Sequence, residues 1–467
     1  MIHGERIQAL NTKPIRHGRY VLYWMQASQR AAFNHALEFA IREANRLKLP
    51  MLAVFGLTEG YPEANERHYA FMLEGLRETR KAMRRRGVEL VIRKAEPDDA
   101  AVGLASDASL VVTDRGYTTV QRRWRRSVAR GAPCRVVRVE TDVVVPVEVA
   151  SGKVEYAART LRPKIQRHLA EYLVPLEQTA LKRDSLDMVH SGLDVEDVGA
   201  LLAKLELDRG VGRVSAFVGG TSEAKRLLRS FIEAKLRDYA DRRNDPSRGI
   251  QSHQSPYLHF GQVSPVYVAL KILAAPGGLG KPKEAYLEEL VVRRELAVNF
   301  VRYCSQYRSY RCLPGWAAAT LRAHQQDRRP FVYTLAQLER AETHDPYWNA
   351  AMREMLWTGK MHNYMRMYWG KKILEWTRSP RAAFRRALYL NNKYFLDGRD
   401  PNSWASVAWC FGLHDRPWGQ RPVFGTVRYM NAAGLERKFD MDGYVGKIEG
   451  LQGTCLRHAR KRPSSSA

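Results

Sequence analysis

The sequence predicts an α/β N-terminal domain built on a parallel sheet, followed by a large all-α domain. Short β-branched runs alternate with helical stretches from Arg19 to about Val145. This alternation is the pattern of repeated β-α-β units with helices on both faces of a sheet. Helical periodicity dominates from about residue 213 onward. A chain of 467 residues is long enough for two or three domains.

The predicted strands of the N-terminal domain follow one another with helices between them. In chain order they are RYVLYW, PMLAVFGL, VELVIRK, SLVVTD and RVVRVETDVVV. Three helices are expected between the strands: one from Ala31 to Lys48, a charged helix that extends through Arg86, and one after SLVVTD. This alternation of strands and helices predicts a Rossmann-like domain. No G-x-G-x-x-G follows the first strand and no P-loop occurs, so neither phosphate-binding turn is available. The expected divisions are an N-terminal extension at 1–18, the α/β domain at 19–146 and a linker at 147–212.

The second half is predicted to form a helical domain at 213–450, followed by a basic tail at 451–467. One helix is expected after Gly220, with Thr221 as its N-cap and Glu223 in its first turn. KEAYLEELVVRRELAVNFVRY and RAAFRRALYLNNKYF predict two further helices. The end of the chain, RHARKRPSSSA, is typical of a disordered terminus or a DNA-contacting extension.

The segment WNAAMREMLWTGKMHNYMRMYWGKKILEW contains four tryptophans and five methionines among basic residues. In a helix, Trp369 and Trp376 would lie two turns apart along one face. Asn363, Arg366 and Met367 would share another face. Such a helix lines either a redox cofactor or an ordinary apolar core, and its periodicity alone leaves both interpretations open.

The charge of the chain favours a polyanionic partner, and nucleic acid is the first candidate. Lysine and arginine number 76 against 49 aspartates and glutamates, which gives a net charge of +27 and a pI near 10.0. Arg122, Arg123, Arg125 and Arg126 form a run whose guanidinium groups suit bidentate bonds to phosphate. A merely solvated basic face is the alternative.

Cysteine usage and hydropathy indicate a reducing compartment and no membrane span. The five cysteines are scattered, and no CxxC pair occurs, so neither a disulfide framework nor a zinc or iron–sulfur site is expected. The first twenty residues contain no apolar core of a signal peptide, and no run reaches eighteen apolar residues. We expect a cytoplasmic protein, nucleoid-associated if the source is prokaryotic.

Two loops of the second half carry polar groups suited to a nucleotide-like ligand. In SHQSPYLHFGQVSP, Ser252 and Ser255 precede a short helix, and hydroxyls with free backbone amides at such a turn suit a pyrophosphate. The alternative is a loop with ordinary helix caps.

In the later loop, two carboxylates flank a turn marked by glycine and proline. Asp397 and Asp400 are the acids of LDGRDPN, and either could bind a ribose hydroxyl or an amine. A carboxamide from Asn391 or Asn402 could bond to a ring nitrogen. The alternative is that Asp400 and Asn402 only cap the next helix.

Four blocks, EELVVRRE, GKMHNYMRMYWGKK, LDGRDPN and RPVFGTVRYMN, together resemble the class II DNA photolyases of the photolyase and cryptochrome flavoproteins. The resemblance extends essentially from Arg19 to Glu449. It implies an α/β antenna domain, a linker and a helical domain that holds FAD in a bent form. It also implies an enzyme, a light-driven carbon–carbon lyase that repairs cyclobutane pyrimidine dimers. The implied reaction is electron transfer from photoexcited FADH⁻ to a dimer flipped out of DNA.

The same resemblance assigns the cofactor residues. The set expected to hold FAD is Tyr239, Ser252, Ser255, Arg366, Asn391, Asp397, Asp400 and Asn402. Within it, the tyrosine and serines are matched to the diphosphate, and Arg366 with Asp397 to an ion pair beside the isoalloxazine. Asn391 is the better match for the amide that faces flavin N5, while Asn402 resembles the position used in other photolyase classes. Both asparagines are retained.

The resemblance also assigns electron-transfer, catalytic and DNA-binding residues. Trp369 is matched to the inner tryptophan of a photoreduction chain, Trp348 to the next member and Trp376 to a third or branching member. The implied catalytic set is Glu289, Asn363, Met367, Trp409 and Asn391, and the implied DNA-binding set is Arg243, Arg293, Trp409, Arg416, Trp418 and Arg428. A carboxylic acid such as Glu289 can donate to a thymine carbonyl that gains negative charge. Arg293 stands where some relatives have an aromatic wedge.

An antenna chromophore of the 8-hydroxy-deazaflavin or folate type, or none, is compatible with the resemblance. Trp24, Met25, Gln26 and Arg30, after the first strand, are candidate lining residues, and the alternative is that they are ordinary residues at the end of a strand. The expected partner is UV-damaged double- or single-stranded DNA, bound by a monomer. Three rival functions are a cryptochrome-like blue-light photoreceptor without repair activity, a basic nucleic-acid-binding protein that is not an enzyme, and repair of the (6-4) photoproduct.

Overall fold

A computed structural model of the protein describes the backbone of residues 2–460 and the side chains of residues 2–451. Its sheet strands are β1 (Ile7–Ala9), β2 (Tyr20–Trp24), β3 (Met51–Leu57), β4 (Leu90–Lys94), β5 (Ala108–Asp114) and β6 (Arg135–Val139). They form one sheet in the order β1-β6-β5-β2-β3-β4. All neighbours are parallel except β1, which runs antiparallel to β6. The predicted parallel sheet is therefore correct apart from this edge strand.

Two details of the sheet differ from the prediction. The strand β1 lies within the segment that we interpreted as an N-terminal extension. The last strand ends at Val139 rather than Val145, because Arg6 and Glu295 take the backbone groups beyond it. Arg6 donates to the carbonyls of Val143 and Val144 at 3.2 and 2.5 Å, and Glu295 accepts from the amide of Val144 at 2.5 Å.

Four helices cover the two faces of this sheet: α1 (His35–Leu47), α2 (Glu66–Arg84), α3 (Pro97–Ala105) and α4 (Thr119–Gly131). The strands β2, β3 and β5 are buried along their whole length, as continuous apolar strands between two helical layers should be. The first helix begins later than Ala31 because the Asn34 side chain accepts from the amide of Leu37 and caps it.

The segment interpreted as a linker contains three helices: α5 (Val147–Ala150), α6 (Ala158–Tyr172) and α7 (Val198–Lys204). Leu161 and Ile165 of α6 pack into an apolar cluster of the helical domain. Leu201 and Leu202 of α7 pack instead onto the α/β domain. This segment therefore contributes buried side chains to both domains.

The remaining helices form the C-terminal domain. They are α8 (Thr221–Ala234), α9 (Tyr239–Arg242), α10 (Ser255–His259), α11 (Pro265–Leu273), α12 (Gly280–Leu287), α13 (Arg294–Tyr303), α14 (Gly315–Ala323), α15 (Leu335–Glu339), α16 (Pro346–Thr358), α17 (Asn363–Glu375), α18 (Pro380–Tyr394), α19 (Pro401–Cys410), α20 (Ala432–Glu436) and α21 (Met441–Arg460). Short 3-10 turns lie at Gly4–Arg6, Leu236–Asp238 and Tyr310–Cys312, and a π-helical segment at Glu288–Arg293 joins α12 to α13. None of the helices within residues 2–460 is long and apolar enough to cross a membrane.

Two helix ends differ from the sequence prediction. The N-cap of α8 is Gly220, with φ 136°, rather than Thr221, because the Thr221 hydroxyl donates to the Gln262 carbonyl at 2.7 Å. The helix α21 runs to Arg460 and so includes the first residues of the segment interpreted as a basic tail. Residues 461–467 lie outside the described part of the chain.

The tryptophan-rich segment forms two helices, α16 and α17, rather than one. Gly359 ends α16 with φ 74°, a backbone conformation that favours glycine. The His362 side chain then accepts from the amide of Tyr364 and caps α17. Trp376 is the C-cap of α17 and is buried. The break lets the two helices pack side by side, which brings their tryptophans together.

Candidate functional site

A buried ion pair lies at the centre of the helical domain. Arg366 of α17 and Asp397, in the turn before α19, approach to 3.0 Å between Nη2 and Oδ1. The Nζ of Lys360 lies 3.7 Å from the same carboxylate and donates to the Ser255 hydroxyl at 2.5 Å. The Arg366 guanidinium also lies 3.8 Å from the centre of the Phe395 ring. The structure thus brings together three residues predicted for the cofactor, and it adds Lys360 and Phe395.

The two basic groups keep Asp397 ionised. Burial by itself raises the pKa of Asp397, but the nearby charges of Arg366 and Lys360 outweigh it and hold the pKa below its usual range. Burial lowers the pKa of Lys360, and the Asp397 charge opposes that shift. The cluster therefore carries a net positive charge in a water-poor setting.

Three buried polar atoms around this ion pair have no hydrogen-bond partner in the described part of the chain. They are Oδ1 of Asn391, Nε of Arg366 and Nε1 of Trp369. The Asn391 amide nitrogen donates to Oδ1 of Asn392 at 3.0 Å, so only its carbonyl oxygen is left over. A buried unsatisfied polar atom costs about 1–3 kcal/mol. Atoms of this kind therefore favour a polar ligand at this place.

Asp400 and Asn402 form the cap of α19, which was the alternative interpretation. Oδ1 of Asp400 accepts from the backbone amide and the side-chain amide of Asn402, both at 2.8 Å. Oδ2 of Asp400 lies 3.2 Å from Nδ1 of His259. Burial raises the pKa of Asp400, but the hydrogen bond and charge of His259, with the charge of Arg294 and the Asn402 amide, together outweigh it and the pKa is lowered. Since the Asn402 amide is engaged in the cap, Asn391 is the better placed asparagine.

Ser252 and Tyr239 lie in an aromatic cluster around Tyr286. The Tyr286 hydroxyl donates to the Ser252 hydroxyl at 2.9 Å, and the rings of Tyr239 and Tyr286 are 5.2 Å apart. The Arg243 guanidinium lies 5.6 Å from the centre of the Tyr239 ring and 3.7 Å from the Glu289 carboxylate. This cluster connects predicted cofactor residues to a predicted catalytic residue.

Sequence reasoning missed a set of basic groups beside the serine loop. Burial, together with the charges of Lys360, Lys235 and Lys447, lowers the pKa of His253 to about 3. Lys235 is held by its bond to the Gly249 carbonyl at 2.9 Å. The three lysines come from distant parts of the chain, and their charges together suit an anionic group such as a diphosphate.

The three predicted electron-transfer tryptophans form a buried series. The indole nitrogen of Trp348 donates to the Trp369 carbonyl at 3.1 Å, and the rings of Trp348 and Trp376 are 5.7 Å apart. The Trp376 ring lies 5.3 Å from Tyr333, whose hydroxyl is 2.6 Å from Nδ1 of His344. Tyr333 is partly exposed, so the aromatic series leads from the buried ion pair to the surface. Sequence reasoning did not find Tyr333 or His344.

A groove of about 630 Å³ lies beside α17 and contains several predicted DNA-binding residues. Its lining includes Met367, Trp409, Trp418 and Arg428. The Arg428 guanidinium lies 4.2 Å from the Trp418 ring and 5.7 Å from the Trp409 ring. Lys371, which is buried, lies 5.1 Å from the Trp409 ring, and burial lowers its pKa to about 8. The groove therefore combines aromatic faces with positive charge.

The other predicted lesion and DNA residues are not among the groove's lining residues. Glu289 and Arg293 lie on the π-helical segment, where Arg293 pairs with Glu288 at 3.0 Å. Burial raises the pKa of Glu289, against the opposing charges of Arg293 and Arg243. Such π-helical segments are frequent at functional sites.

Two further candidates are exposed. Asn363 begins α17 with an exposed side chain. Arg416 is exposed and lies 5.1 Å from the Trp418 ring, at the edge of the groove.

A second, smaller cavity of about 100 Å³ lies at the carboxyl ends of β2 and β3. Met25 and Gln26, two of the candidate antenna residues, line it together with Trp124. Trp24 belongs instead to the apolar cluster under the sheet, because its side chain points to the opposite face of the strand from that of Met25. Arg30 is paired with Asp142 at 2.7 Å. Neither Trp24 nor Arg30 lines this cavity.

Comparison with known proteins identifies the family. Over 453 residues the chain is 52% identical to a deoxyribodipyrimidine photo-lyase from Methanothermobacter thermautotrophicus, which covers 97% of this chain and 99% of that protein. The chain belongs to the DNA photolyase family. The family model described as DNA photolyase matches residues 21–182. A deoxyribodipyrimidine photo-lyase from Potorous tridactylus is 38% identical over 91% of this chain and 81% of its own length.

Solved photolyase structures have the same fold at low sequence identity. A class III photolyase from Agrobacterium tumefaciens superposes with a TM-score of 0.72 at 17% identity, covering 98% of this chain and 94% of its own. An archaeal photolyase from Sulfolobus tokodaii, described with two FAD molecules, gives a TM-score of 0.69 at 16% identity, covering 95% and 94%. The predictions of fold class, family and photo-lyase enzyme are confirmed.

Proposed function

We propose that this photolyase is a class II enzyme that uses light to split cyclobutane pyrimidine dimers in DNA. The observation that carries the proposal is the buried pair of Arg366 and Asp397, surrounded by unsatisfied polar atoms of Asn391 and Trp369. Such atoms call for a polar, planar ligand inside the helical domain. Relatives named deoxyribodipyrimidine photo-lyase that match nearly the whole chain support the substrate class.

The residues present fit FAD as that ligand. Arg366, Asp397 and Asn391 would hold its ring system, since they offer a free guanidinium donor, a carboxylate and a free amide oxygen. Ser252 and Ser255, with the basic groups beside them, would hold its diphosphate. When bound and reduced, the flavin would supply the excited electron that splits the dimer. The fold relative described with two FAD molecules is consistent with this cofactor.

The groove residues would hold the flipped-out dimer. Trp409 and Trp418 offer flat faces for the pyrimidine rings, and Arg428 between them offers positive charge for the phosphates. A dimer stacks poorly in the duplex, which lowers the cost of its extrusion. Met367 adds an adaptable apolar contact in the same lining.

Glu289 would act on the dimer as a neutral acid. Its pKa is raised by burial, so a larger fraction of the side chain keeps its proton near neutral pH. A protonated carboxyl can donate to a carbonyl oxygen on which negative charge develops. Arg243, 3.7 Å from the carboxylate, would orient the group and approach a phosphate.

Electron replacement would follow the aromatic series from the ion pair to the surface. Trp369, Trp348 and Trp376 form the buried part, and Tyr333 would be its outer end. When Tyr333 gives an electron to an oxidised Trp376, its phenolic proton can pass to His344, whose Nδ1 lies 2.6 Å away. Tyr333 would then be a neutral radical, and the positive charge taken from Trp376 would lie on the protonated His344 at the surface.

An antenna chromophore does not fit the small cavity in this conformation. Trp124 and Gln26 suit a flat polar ring, but a volume of about 100 Å³ is well below the roughly 300–1,000 Å³ of typical ligand pockets. We therefore assign neither a deazaflavin nor a folate to this cavity.

Two lesions distinguish this proposal from its rivals. The flavin-loaded protein should restore DNA that contains a cyclobutane dimer under blue light and leave DNA that contains the (6-4) photoproduct unchanged. Reversal of the (6-4) lesion would contradict the substrate class. Reversal of neither lesion by a photoreducible protein would favour the cryptochrome-like photoreceptor.

A further inference from the structure

The arginine run of α4 borders a cavity that the proposed function does not use. This cavity, of about 220 Å³, lies between the α/β domain and the end of α13. Six arginines line it: Arg115, Arg122, Arg125, Arg126, Arg138 and Arg302. One of them follows β5, three lie on α4, one lies on β6 and one lies in the last turn of α13. None of the six is a candidate residue for the cofactor or the lesion.

Among the described residues, two carboxylates form salt bridges with these six arginines. Arg115 bonds to Glu140 at 2.9 Å and to Glu148 at 2.5 Å. Arg302 and Arg138 approach the same Glu148 at 3.0 and 3.7 Å. The buried Asp114 also acts on Arg125 without a salt bridge to it, so six guanidinium groups face three carboxylates and positive charge remains in excess. In the described part of the chain, no salt bridge involves Arg122, Arg125 or Arg126.

The excess charge is partly buried, which makes it costly without a counter-ion. Arg125 is 5% exposed, and its Nη1 donates to the neutral Gln26 side chain at 2.6 Å. Burial, together with the charges of Arg138 and Arg115, lowers the pKa of Arg125 to about 9. Burial likewise lowers the pKa of Arg138 to about 10, with Arg115 acting in the same direction. Like charges held together in this way attract an anion.

The depth and size of the cavity limit what that anion can be. Arg115 and Arg125 are almost fully buried, so the backbone of a DNA duplex cannot reach their guanidinium groups. Arg126 is exposed and the Arg302 side chain is 31% exposed, which leaves an entrance. A volume of about 220 Å³ is below that of typical ligand pockets. A compact group with several negative charges fits best.

We propose that this arginine cavity binds the pyrophosphate group of a small ligand, either free pyrophosphate or a nucleoside di- or triphosphate. Guanidinium groups bind phosphate oxygens in a bidentate manner, and six of them surround one small volume. Arg302 comes from the helical domain and the other five from the α/β domain. The bound group would therefore tie the two domains together.

Titration calorimetry on the full-length, flavin-loaded protein tests the proposal. The probes are inorganic pyrophosphate, ATP and orthophosphate, and comparison of the first two shows whether a nucleoside is part of the ligand. Pyrophosphate should bind at one site, and Arg138→Gln and Arg126→Gln should each weaken it by roughly tenfold or more, the value of one charge-assisted bond. Arg126 is exposed, so that variant tests the cavity even if Arg138→Gln fails to fold.

Arg123→Gln is the matched control, because Arg123 is an exposed arginine of α4 that does not line the cavity. Its affinity for pyrophosphate should equal that of the wild type, and none of the three variants should lose light-driven dimer repair. Equal weakening by all three substitutions would overturn the proposal, since it would indicate only general charge attraction. Absence of saturable binding, or displacement of pyrophosphate by undamaged duplex DNA, would also overturn it.

Discussion

Arg366 and Asp397 form an ion pair at 3.0 Å that joins α17 to the turn before α19 inside the helical domain. Asp397 is 7% exposed, and Lys360 adds a second cation at 3.7 Å. An ion pair buried this deeply needs further polar partners to offset its desolvation. The free polar atoms of Arg366 and Asn391 show that protein groups alone do not supply them, and a bound cofactor would.

Replacing Asp397 with asparagine should destabilise the protein and release its flavin. The substitution leaves Arg366 and Lys360 as buried cations without their counter-charge, at a cost of about 3–5 kcal/mol. Flavin absorbance after gel filtration and the urea midpoint measure the two effects. Asp241→Asn is the control, because Asp241 forms an exposed pair with Lys281. Equal urea midpoints for the two variants would contradict the role of Asp397.

The same residue makes stability depend on pH in a defined direction. Because the pKa of Asp397 is lowered in the folded state, its contribution is complete above the unfolded pKa of about 3.9 and is lost as pH falls below it. In Asp397→Asn, the free energy of unfolding should therefore fall less steeply as the pH is lowered below about 3.9. The same decrease in unfolding free energy at low pH in the variant and the wild type would show that other carboxylates cause that decrease.

Substitution of Glu289 should lower the repair yield more than it lowers DNA affinity. The raised pKa favours the proton-donating form below that pKa, so the wild-type yield should fall as pH rises through it. Glu289→Gln keeps a hydrogen-bond donor and should lose this pH dependence, whereas Glu289→Ala should have a low yield at every pH. Quantum yields of dimer splitting across pH measure this. A wild-type pH profile retained in Glu289→Gln would remove the residue from the mechanism.

Trp369→Phe should slow light-driven reduction of the bound flavin, because phenylalanine is much harder to oxidise than indole. Tyr333→Phe should leave the first electron step intact but shorten the lifetime of the charge-separated state, since the outer donor and its proton acceptor His344 are then uncoupled. Transient absorption measures both. Trp316→Phe is the control, as Trp316 packs against the same apolar cluster without a ring contact to the series. Wild-type photoreduction in Trp369→Phe would refute the assignment.

Trp409→Ala should weaken binding of dimer-containing DNA by about 1–3 kcal/mol, the value of one base–aromatic stacking contact. Undamaged DNA should be affected less, because it offers no flipped-out base to stack on this ring. Fluorescence anisotropy with the two oligonucleotides at one fixed salt concentration measures the difference. An equal loss for both DNAs would place Trp409 among general contacts rather than at the lesion.

The sequence predicts the elements whose signal is local and long. The strands β2, β3 and β5 are largely apolar and buried along their whole length, and each is followed by a helix. The strand β1 is three residues long and its pattern is not periodic, so it carried no signal. The break at Gly359 did carry a sequence signal, because glycine is the common residue after a helix end. The surrounding tryptophans nevertheless suggested a continuous helix.

The candidate site could be predicted only where its residues stand in recognisable blocks. Arg366 and Asp397 lie in GKMHNYMRMYWGKK and LDGRDPN, and the structure pairs them. Lys235 and Lys447 are single lysines far apart in a chain rich in basic residues. Only tertiary packing brings them to His253, so no sequence pattern distinguishes them.

The most direct test of light-driven dimer repair is the ultraviolet absorbance of dimer-containing oligothymidine mixed with the reduced protein, followed in blue light and in darkness. Splitting the dimer restores the thymine double bonds and hence the absorbance. Recovery in light alone is the predicted result, and it should be reduced in Glu289→Ala and Trp409→Ala. No recovery in light, with flavin bound and photoreducible, would contradict the repair function.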